Sequence, residues 1–322
     1  MTQRQRFAAA LAFEQTDRPP HFEHMFELTA EAFGREFPSE QAIAEASEGE
    51  RERERLLYEC VDLYRLIVER FEWDALCIWR PWGGPQQLEC LRIAKRELGE
   101  RVMIGGFISS SVHAIETVSD YTQFAADLYE RPEMIHAQAL AMSDAAIACG
   151  CAMREAGADF VSVVSDVAFN QGTFISPEMF RQFVSPYMQR HIAALKAQGL
   201  YVIQHSDGNL MAVLDDIMAA APHVLHSIDP MARMDIAVVK RMTYPRMALM
   251  GNVQCSYLQD GPEARIRESA RYALRHGAPG GGYVFSTSNT IFPGMPLRHY
   301  EVMLEELSAF RYPRADTDRA RM

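Results

Sequence analysis

Long apolar runs and clusters of positive charge are both missing from this sequence. None of its 322 residues lie in an apolar run approaching the roughly 18 residues of a membrane span. Residues 1–6 lead into an amphipathic stretch rather than into the apolar core of a signal peptide. No Lys/Arg cluster offsets the formal net charge of −11, which would repel the phosphate backbone of a nucleic acid. These absences predict a cytoplasmic protein that binds neither a membrane nor a nucleic acid.

Cysteine is scarce and forms no recognisable framework. The cysteines lie scattered in apolar segments of a large chain, which favours reduced thiols over disulfides. They are Cys60, Cys77, Cys90, Cys149, Cys151 and Cys255. No Gly-x-Gly-x-x-Gly loop follows an apolar run, which removes the commonest functional partner of a doubly wound open sheet.

The apolar runs that are present have the length and spacing of buried parallel strands. Helical sequence separates most of them, a pattern typical of α/β proteins whose sheet is covered on both faces. The runs are His21–Phe26, Asp74–Trp79, Val102–Ile108, Phe160–Asp166, Tyr201–Asn209, Val224–Asp229, Met247–Val253 and Gly282–Ser288. Eight strands predict a single (β/α)₈ barrel over residues 1–312, with an N-terminal helical extension and a charged C-terminal tail over residues 313–322. A doubly wound open sheet is the structural alternative.

Polar and ionisable residues stand where the predicted strands end. A barrel would gather these residues at one mouth, where barrel enzymes place their catalytic groups. They are Glu23, Arg80, Ser109, Asp166, His205, Asp207, Asp229, Asn252 and Asn289. This convergence is the main argument from the residues for an enzyme.

The segment His205-Ser206-Asp207 is the centre of this candidate site. Its two ionisable side chains lie on the same side of an extended chain and so could share a ligand or a proton. Structural roles remain open: His205 as a hydrogen-bonded core histidine, Asp207 as a helix cap and Asp229 as the organiser of a turn. Cys255, just beyond the seventh strand, could offer a thiolate to a soft metal.

Several segments together resemble the uroporphyrinogen decarboxylase superfamily. These segments are Ser176–Phe180, His205–Asn209, Ile228–Pro230, Gly251–Val253 and Gly281–Tyr283. The resemblance implies a TIM barrel and a homodimer. It also implies one of two activities, tetrapyrrole decarboxylation or methyl transfer between corrinoid proteins, methylated substrates and thiol acceptors.

Departures from the decarboxylase pattern favour the methyltransferases. The resemblance implies an arginine-rich segment after Arg18-Pro19-Pro20 that meets the eight carboxylates of uroporphyrinogen, but acids stand there and no arginine follows until Arg35. The aspartate that the decarboxylase uses after the second strand falls near Arg80 or Pro81. Its histidine after the last strand is replaced by Asn289.

Departures from the methyltransferase pattern predict an altered metal site. In the thiol-directed methyltransferases, the resemblance implies a zinc ion held by a His-x-Cys pair after strand five and a cysteine after strand eight. This sequence keeps His205 but has Asp207 and Asn289 at the cysteine positions. A remodelled site with His205, Asp207 and either Glu23 or Cys255 would have harder ligands, suited to an oxygen or nitrogen substrate.

The sequence therefore predicts a methyltransferase-like barrel that exchanges a methyl group between a small substrate and a corrinoid partner. The predicted catalytic residues are His205, Asp207 and Asp166. The predicted substrate-binding residues are Glu23, Arg80, Asp229, Asn252 and Asn289. The predicted ligands of zinc are His205, Asp207 and Cys255. Two alternatives stay open, a carboxy-lyase such as uroporphyrinogen decarboxylase and a corrinoid- or tetrapyrrole-binding barrel without catalysis.

Overall fold

The computed structural model describes residues 1–46 and 51–313. Its centre is a curled sheet of seven parallel strands in the order β1-β2-β3-β6-β7-β8-β9. The strands are β1 (Ala75–Ile78), β2 (Met103–Ser109), β3 (Phe160–Val164), β6 (Tyr201–His205), β7 (Val224–His226), β8 (Ala248–Val253) and β9 (Tyr283–Thr287). A separate antiparallel hairpin pairs β4 (Ala168–Phe169) with β5 (Gly172–Thr173). The predicted α/β barrel architecture is confirmed in this form.

Helices cover the outer face of the sheet. The helices are α1 (Gln3–Leu11), α2 (Thr29–Phe33), α3 (Glu40–Glu45), α4 (Arg51–Phe71), α5 (Gly84–Leu98), α6 (Tyr121–Glu130), α7 (Pro132–Glu155), α8 (Pro177–Phe183), α9 (Ser185–Ala197), α10 (Leu214–Ala220), α11 (Ile236–Thr243), α12 (Cys255–Asp260), α13 (Glu263–Gly277) and α14 (Leu297–Ala309). The strands of the seven-stranded sheet are buried on both faces, between the helices and the interior, which explains why they are nearly continuous apolar runs.

The first predicted strand, His21–Phe26, closes the ring without forming a regular ladder. Residues 20–26 lie between β1 and β9, where the Phe285 N–H donates to Pro20 O (2.8 Å) and the Asp74 N–H donates to His21 O (2.7 Å). Only two isolated parallel bridges join the segment to residues on the β9 side, His21 to Phe285 and Phe26 to Ile291. Proline offers no N–H, and the His21 N–H donates to the Asp74 carboxylate (2.8 Å), so the backbone donors that a ladder needs are missing here.

Helix α1 closes the amino-terminal end of the barrel. The ring of Phe7 packs edge-on against Phe22, with centroids 5.5 Å apart, and Phe22 packs in the same way against Phe160 (5.8 Å). Phe160 is the first residue of β3, so this aromatic layer fills the end from which the strands start. The predicted N-terminal helical extension therefore leaves the carboxyl ends of the strands as the open mouth.

The structure bears on two further predictions, which concern a membrane span and the charged C-terminal tail. In the described part of the chain, no helix combines the length and the apolar character of a membrane span. The predicted charged tail, residues 313–322, lies outside the described residues except for Pro313.

Candidate functional site

A histidine and two carboxylates meet at the carboxyl ends of β3 and β6. His205 is the last residue of β6, and its Nε2 atom lies 3.8 Å from Asp166 Oδ1 and 3.8 Å from Asp207 Oδ1. The His205 side chain is 8% exposed, whereas those of Asp166 and Asp207 are 36% and 30% exposed. We call Asp166, His205 and Asp207 the acidic triad. All three were predicted to be catalytic, and the structure brings them together.

Backbone hydrogen bonds fix the two loops that carry the acidic triad. The Asp207 N–H donates to Asp166 Oδ1 (2.9 Å), and the Val167 N–H donates to Ser206 Oγ (3.0 Å). The Ser165 N–H continues the pairing of β3 with β6 by donating to His205 O (3.2 Å). The loops after β3 and β6 are therefore joined directly, and the spacing of the two carboxylates is set by the backbone.

Asp207 has two further partners from other strand ends. The Asn289 amide, two residues beyond β9, donates to Asp207 Oδ2. The Ser227 hydroxyl lies 2.7 Å from both Asp207 Oδ1 and Ser288 O, and its single proton can be donated to only one of them at a time. Asn289 therefore lies beside Asp207, within the predicted site. Its amide, which was predicted to bind substrate, is engaged in a hydrogen bond to the Asp207 carboxylate.

Two buried histidines that sequence reasoning did not assign to the site lie behind His205. His205 Nδ1 lies 2.7 Å from His226 Nδ1, and His226 Nε2 lies 3.3 Å from Thr287 O. The ring of His24 is 4.0 Å from that of His226. Burial, together with the neighbouring histidines, holds the pKa of both His24 and His226 well below the usual range, so both imidazoles are neutral. The sequence offered one signal for His226, namely its position at the end of a strand. The strand that His226 ends pairs with the strand that His205 ends.

Glu116 is a third acid beside the mouth that the sequence did not reveal. The Asp166 N–H donates to Glu116 Oε2 (3.3 Å). Partial burial and the nearby Asp166 carboxylate raise the pKa of Glu116. Glu116 lies in a short 3₁₀ turn, Ile115–Thr117, and nothing in its local sequence distinguishes it from a surface acid.

Three of the predicted substrate-binding residues are engaged in local structure. Arg80 forms ion pairs with Glu27 (3.3 Å) and Glu40 (3.5 Å). Asp229 accepts from the Met231 N–H (2.9 Å) and caps a 3₁₀ turn, so its turn-forming alternative describes what the structure has.

Asn252 is the third of these residues. Its amide donates to Ile228 O (2.9 Å). Ile228 and the preceding Ser227 both have positive φ, at 47° and 98°, a conformation that costs a non-glycine residue free energy and needs support from its surroundings. Asn252 therefore supports the backbone at residues 227–228, and this backbone places the Ser227 hydroxyl beside Asp207.

Glu23 and Cys255 do not join the acidic triad. Glu23 is fully buried and accepts from the hydroxyls of Ser286 and Thr287 (2.7 Å each) and from the Thr287 N–H. Burial raises the pKa of Glu23 to about 7, although these hydrogen bonds oppose the shift. The Cys255 thiol faces Thr290 O (3.8 Å), and burial raises its pKa to about 12, so it is not a thiolate at neutral pH.

The acidic triad has the geometry and the donors of a divalent-cation site. Its ligand atoms lie within 4.8 Å of one another, and one imidazole nitrogen with two carboxylate oxygens suits zinc or a harder divalent ion. The nearly buried His205 Nε2 makes no hydrogen bond to any residue within 1–46 or 51–313 and is aimed at two anionic oxygens. A cation bound between these three atoms would contact the His205 nitrogen and offset the negative charge of the two carboxylates. The residues present therefore fit the metal that the resemblance implies, with Asp166 as the third ligand.

A second group of possible ligands, His24, His205 and His226, also lies within 4.8 Å. Two nitrogens bound to one tetrahedral zinc ion lie about 3.3 Å apart, given Zn–N bonds of about 2.05 Å. The 2.7 Å between His205 Nδ1 and His226 Nδ1 is instead the distance of a hydrogen bond. This group is therefore a buried hydrogen-bonded pair with His24 packed against it.

Comparison with known proteins adds a family and a structural neighbour. The model of the uroporphyrinogen decarboxylase (URO-D) family matches residues 69–310. Among curated proteins, uroporphyrinogen decarboxylase from Chlorobaculum tepidum is 26% identical over 68% of this chain and 63% of its own length. Methylcobamide:CoM methyltransferase MtaA from Methanosarcina barkeri is 29% identical over 68% of this chain and 62% of its own length. The chain thus spans somewhat less than two thirds of the length of these relatives.

Among solved structures, a methyltransferase from Methanosarcina mazei superposes with a TM-score of 0.76. The match covers 96% of this chain and 99% of that one, at 19% sequence identity. At that identity the likeness concerns the fold, and it agrees with the barrel described above. Both activities suggested by the resemblance, decarboxylation and methyl transfer, are represented among these relatives.

Proposed function

Because this chain belongs to the uroporphyrinogen decarboxylase family, we propose that it is a methyltransferase that exchanges a methyl group between a small substrate and a corrinoid partner. The reaction would take place at the carboxyl mouth of the barrel, beside the acidic triad. The relative from Methanosarcina barkeri is a methylcobamide:CoM methyltransferase, which supports this choice of reaction class.

The single observation that carries the proposal is the negative charge of the mouth. Asp166 and Asp207 flank His205, and Glu116 lies within hydrogen-bonding distance of the Asp166 backbone. Two like charges about 4 Å apart repel by about 4 kcal/mol at an effective dielectric constant of 20. Where no cation offsets these charges, a tetrapyrrole with eight carboxylates would meet such repulsion, whereas a neutral or cationic methylated compound would not.

The acidic triad would hold the divalent cation of this site. When bound, the ion would act as a Lewis acid that lowers the pKa of a bound hydroxyl or thiol acceptor, so that the acceptor loses its proton and is available as the more nucleophilic anion. Ser227 and Asn289 hydrogen bond to the Asp207 carboxylate and so orient it. The Asp207 N–H in turn holds Asp166 Oδ1, so these contacts fix both carboxylates before a ligand binds.

The surroundings of the triad suit a small organic substrate. An open depression of about 700 Å³ is lined by Asp207, Gly208 and the hairpin over residues 168–173, and this volume is within the usual size range of small-molecule sites. Apolar side chains lie on the side of His24, which packs against His205 (5.4 Å): the half-exposed Trp82 stacks on Phe107 (5.3 Å), and Phe107 packs against His24 (5.4 Å). A methyl group has apolar contacts available on that side, and the polar part of the substrate faces the carboxylates.

The proposal is tested by incubating the purified protein with methylcobalamin, Zn²⁺ and a panel of alcohols, amines and thiols. We expect demethylation of the cobalamin, followed by absorbance, together with a methylated acceptor identified by mass spectrometry. Asp207→Asn is expected to reduce the rate by about 100-fold, because it removes one anionic ligand. The matched control is Asp120→Asn, which changes an exposed acid, keeps the oxygen that caps α6 and is expected to retain the rate.

The same preparation incubated with uroporphyrinogen separates this proposal from its main competitor. Products with fewer carboxylates would overturn the methyltransferase proposal and establish the carboxy-lyase. Tight binding of methylcobalamin without methyl transfer to any acceptor would instead favour a corrinoid-binding barrel that lacks catalysis.

A further inference from the structure

The hydrogen bonds of His226 determine which of its nitrogens carries the proton. His226 Nε2 lies 3.3 Å from Thr287 O, and a carbonyl oxygen can only accept a hydrogen bond. The proton is therefore on Nε2. Glu23 fixes this acceptor in place, because the Thr287 N–H and hydroxyl both donate to the Glu23 carboxyl group.

The other nitrogen of His226 must then accept. His226 is completely buried, and no carboxylate among the described residues contacts its ring, so the neutral form is strongly favoured over the imidazolium. A neutral imidazole protonated at Nε2 has a lone pair at Nδ1. That lone pair faces His205 Nδ1 at 2.7 Å, which requires His205 Nδ1 to be the donor.

His205 is thereby held with its proton on Nδ1. Its Nε2 lone pair points out of the core towards Asp166 Oδ1 and Asp207 Oδ1, both 3.8 Å away. In the opposite tautomer, an Nε2–H group would point at the two carboxylates and occupy the space of a cation. Whether the triad offers three ligand atoms or two therefore depends on which nitrogen of His205 carries the proton.

We propose that His226 is a positioning residue that locks His205 in the Nδ1–H tautomer and so completes a three-ligand cation site with Asp166 and Asp207. A metal-bound histidine commonly donates its other N–H to a carboxylate or a carbonyl. Here the acceptor is a second histidine, itself oriented by the Thr287 carbonyl. The cation part rests on the proposed function, whereas the tautomer of His205 does not.

The tautomer is measured directly in the wild-type protein. Long-range ¹H–¹⁵N NMR of protein labelled with ¹⁵N at histidine distinguishes protonated from unprotonated ring nitrogens. We expect His205 to show a protonated Nδ1 and an unprotonated Nε2, and Zn²⁺ to shift the Nε2 resonance while Nδ1 keeps its proton. A wild-type His205 with its proton on Nε2 and none on Nδ1 would overturn the proposal without any variant.

Two substitutions of His226 and one control test its effect on the site. His226→Leu removes the acceptor and is expected to lower Zn²⁺ affinity, measured by competition with a chelating dye, by about 10- to 100-fold. His226→Asn retains an oxygen that can accept from His205 Nδ1–H and is expected to restore most of that affinity. The control is His191→Leu, a similarly buried histidine on α9, which is expected to leave Zn²⁺ affinity unchanged.

The outcomes separate this inference from the proposed function. If His226→Leu keeps its near-UV circular dichroism and still binds Zn²⁺ as tightly as the wild type, the role assigned to His226 is wrong. If that variant does not fold, the wild-type NMR spectrum decides. A protein with the expected tautomer and Zn²⁺ affinity but no methyl transfer keeps this inference and loses the proposed function.

Discussion

At the scale of single residues, the neighbours Glu23 and His24 have opposite surroundings. The Glu23 side chain is bonded to Ser286 and Thr287 of β9, whereas the His24 ring lies inside the barrel against His205 and His226. The two-residue alternation of an extended segment makes this separation unavoidable. His24, rather than Glu23, is therefore the residue of this segment that packs behind His205.

Replacement of Glu23 is expected to change how stability depends on pH. The folded-state pKa of about 7 lies above the ordinary value of 4.5, so folding stabilises the protonated form. This stability is fully present below about pH 4.5 and is lost as the pH rises towards about 7, by up to about 3 kcal/mol. Glu23→Gln, which is neutral throughout, should lack this loss, and urea unfolding at about pH 5 and pH 8 measures it.

The matched control for this prediction is Glu133→Gln, which alters an exposed acid in the first turn of α7 and should leave the difference between the two pH values unchanged. A Glu23→Gln variant whose stability falls between these pH values as much as that of the wild type would show that Glu23 does not titrate in this window.

These residues also show how far the sequence could lead towards the site. The joint position of His205 and Asp207 was predictable, because both residues follow one apolar run and lie on one side of it. The outward direction of Glu23 was not, since it depends on which neighbours the first segment pairs with. Glu116 and Cys255 were beyond prediction for a related reason: a loop acid and a buried thiol acquire their roles only from residues distant in the sequence.

At the scale of elements, the hairpin β4–β5 and the loop after β6 are packed without room for a side chain between them. Gly208 has φ +88°, and a Cβ atom at that position would lie 2.1 Å from Ala168 O. The Asn209 N–H donates to Phe169 O (2.9 Å) at the same junction. The hairpin thus buttresses the loop that carries Asp207.

Gly208→Ala is expected to separate these elements. We expect it to lower the free energy of unfolding by about 2 kcal/mol more than Gly172→Ala, because the added methyl group clashes with backbone. Gly172 is the matched control, since it lies in the hairpin that Gly208 contacts, has φ +151° and has nothing within 4 Å of its Cβ position. Urea denaturation of the two variants measures the difference, and equal losses would contradict the close packing at Gly208.

At the scale of the whole molecule, a buried carboxylate holds the ring closed. Asp74, immediately before β1, accepts from Arg6 (2.5 Å), Arg18 (2.8 Å) and the His21 N–H (2.8 Å). Its side chain is 0% exposed. Asp74 therefore joins the N-terminal helix, the closing segment and the first strand of the sheet through side-chain contacts.

Asp74→Asn is expected to destabilise the protein by about 3–5 kcal/mol, because it leaves two arginines without their buried counter-charge. Asp17→Asn is the matched control: Asp17 also binds Arg6, but its side chain is 50% exposed, and the expected loss is about 1 kcal/mol or less. Thermal and urea unfolding compare the two variants. Similar losses for both would show that the Asp74 contacts do not hold the ring together.

The overall architecture was more predictable than its closure. Seven of the predicted strand runs form the sheet, since apolar runs between helical segments carry the signal of a parallel barrel in their own composition. The run His21–Phe26 was predicted as a strand on the same grounds, but its hydrogen-bond partners lie on Asp74 and on β9. The sequence of these six residues does not show whether Asp74 and β9 offer the backbone hydrogen bonds that a regular ladder needs.

The weak backbone pairing of residues 20–26 has an evolutionary consequence. The region that matches the family begins at residue 69, so every strand of the sheet lies inside the shared sequence pattern and the closing segment lies before it. Because few backbone hydrogen bonds hold this segment, its place in the ring depends on buried side chains such as His21, whose ring lies 3.0 Å from Phe285 O and 2.9 Å from the Tyr300 hydroxyl. Divergence of these side chains between relatives would change the packing around His24, behind His205, and so alter the site while the hydrogen-bond ladders of the common sheet stay the same.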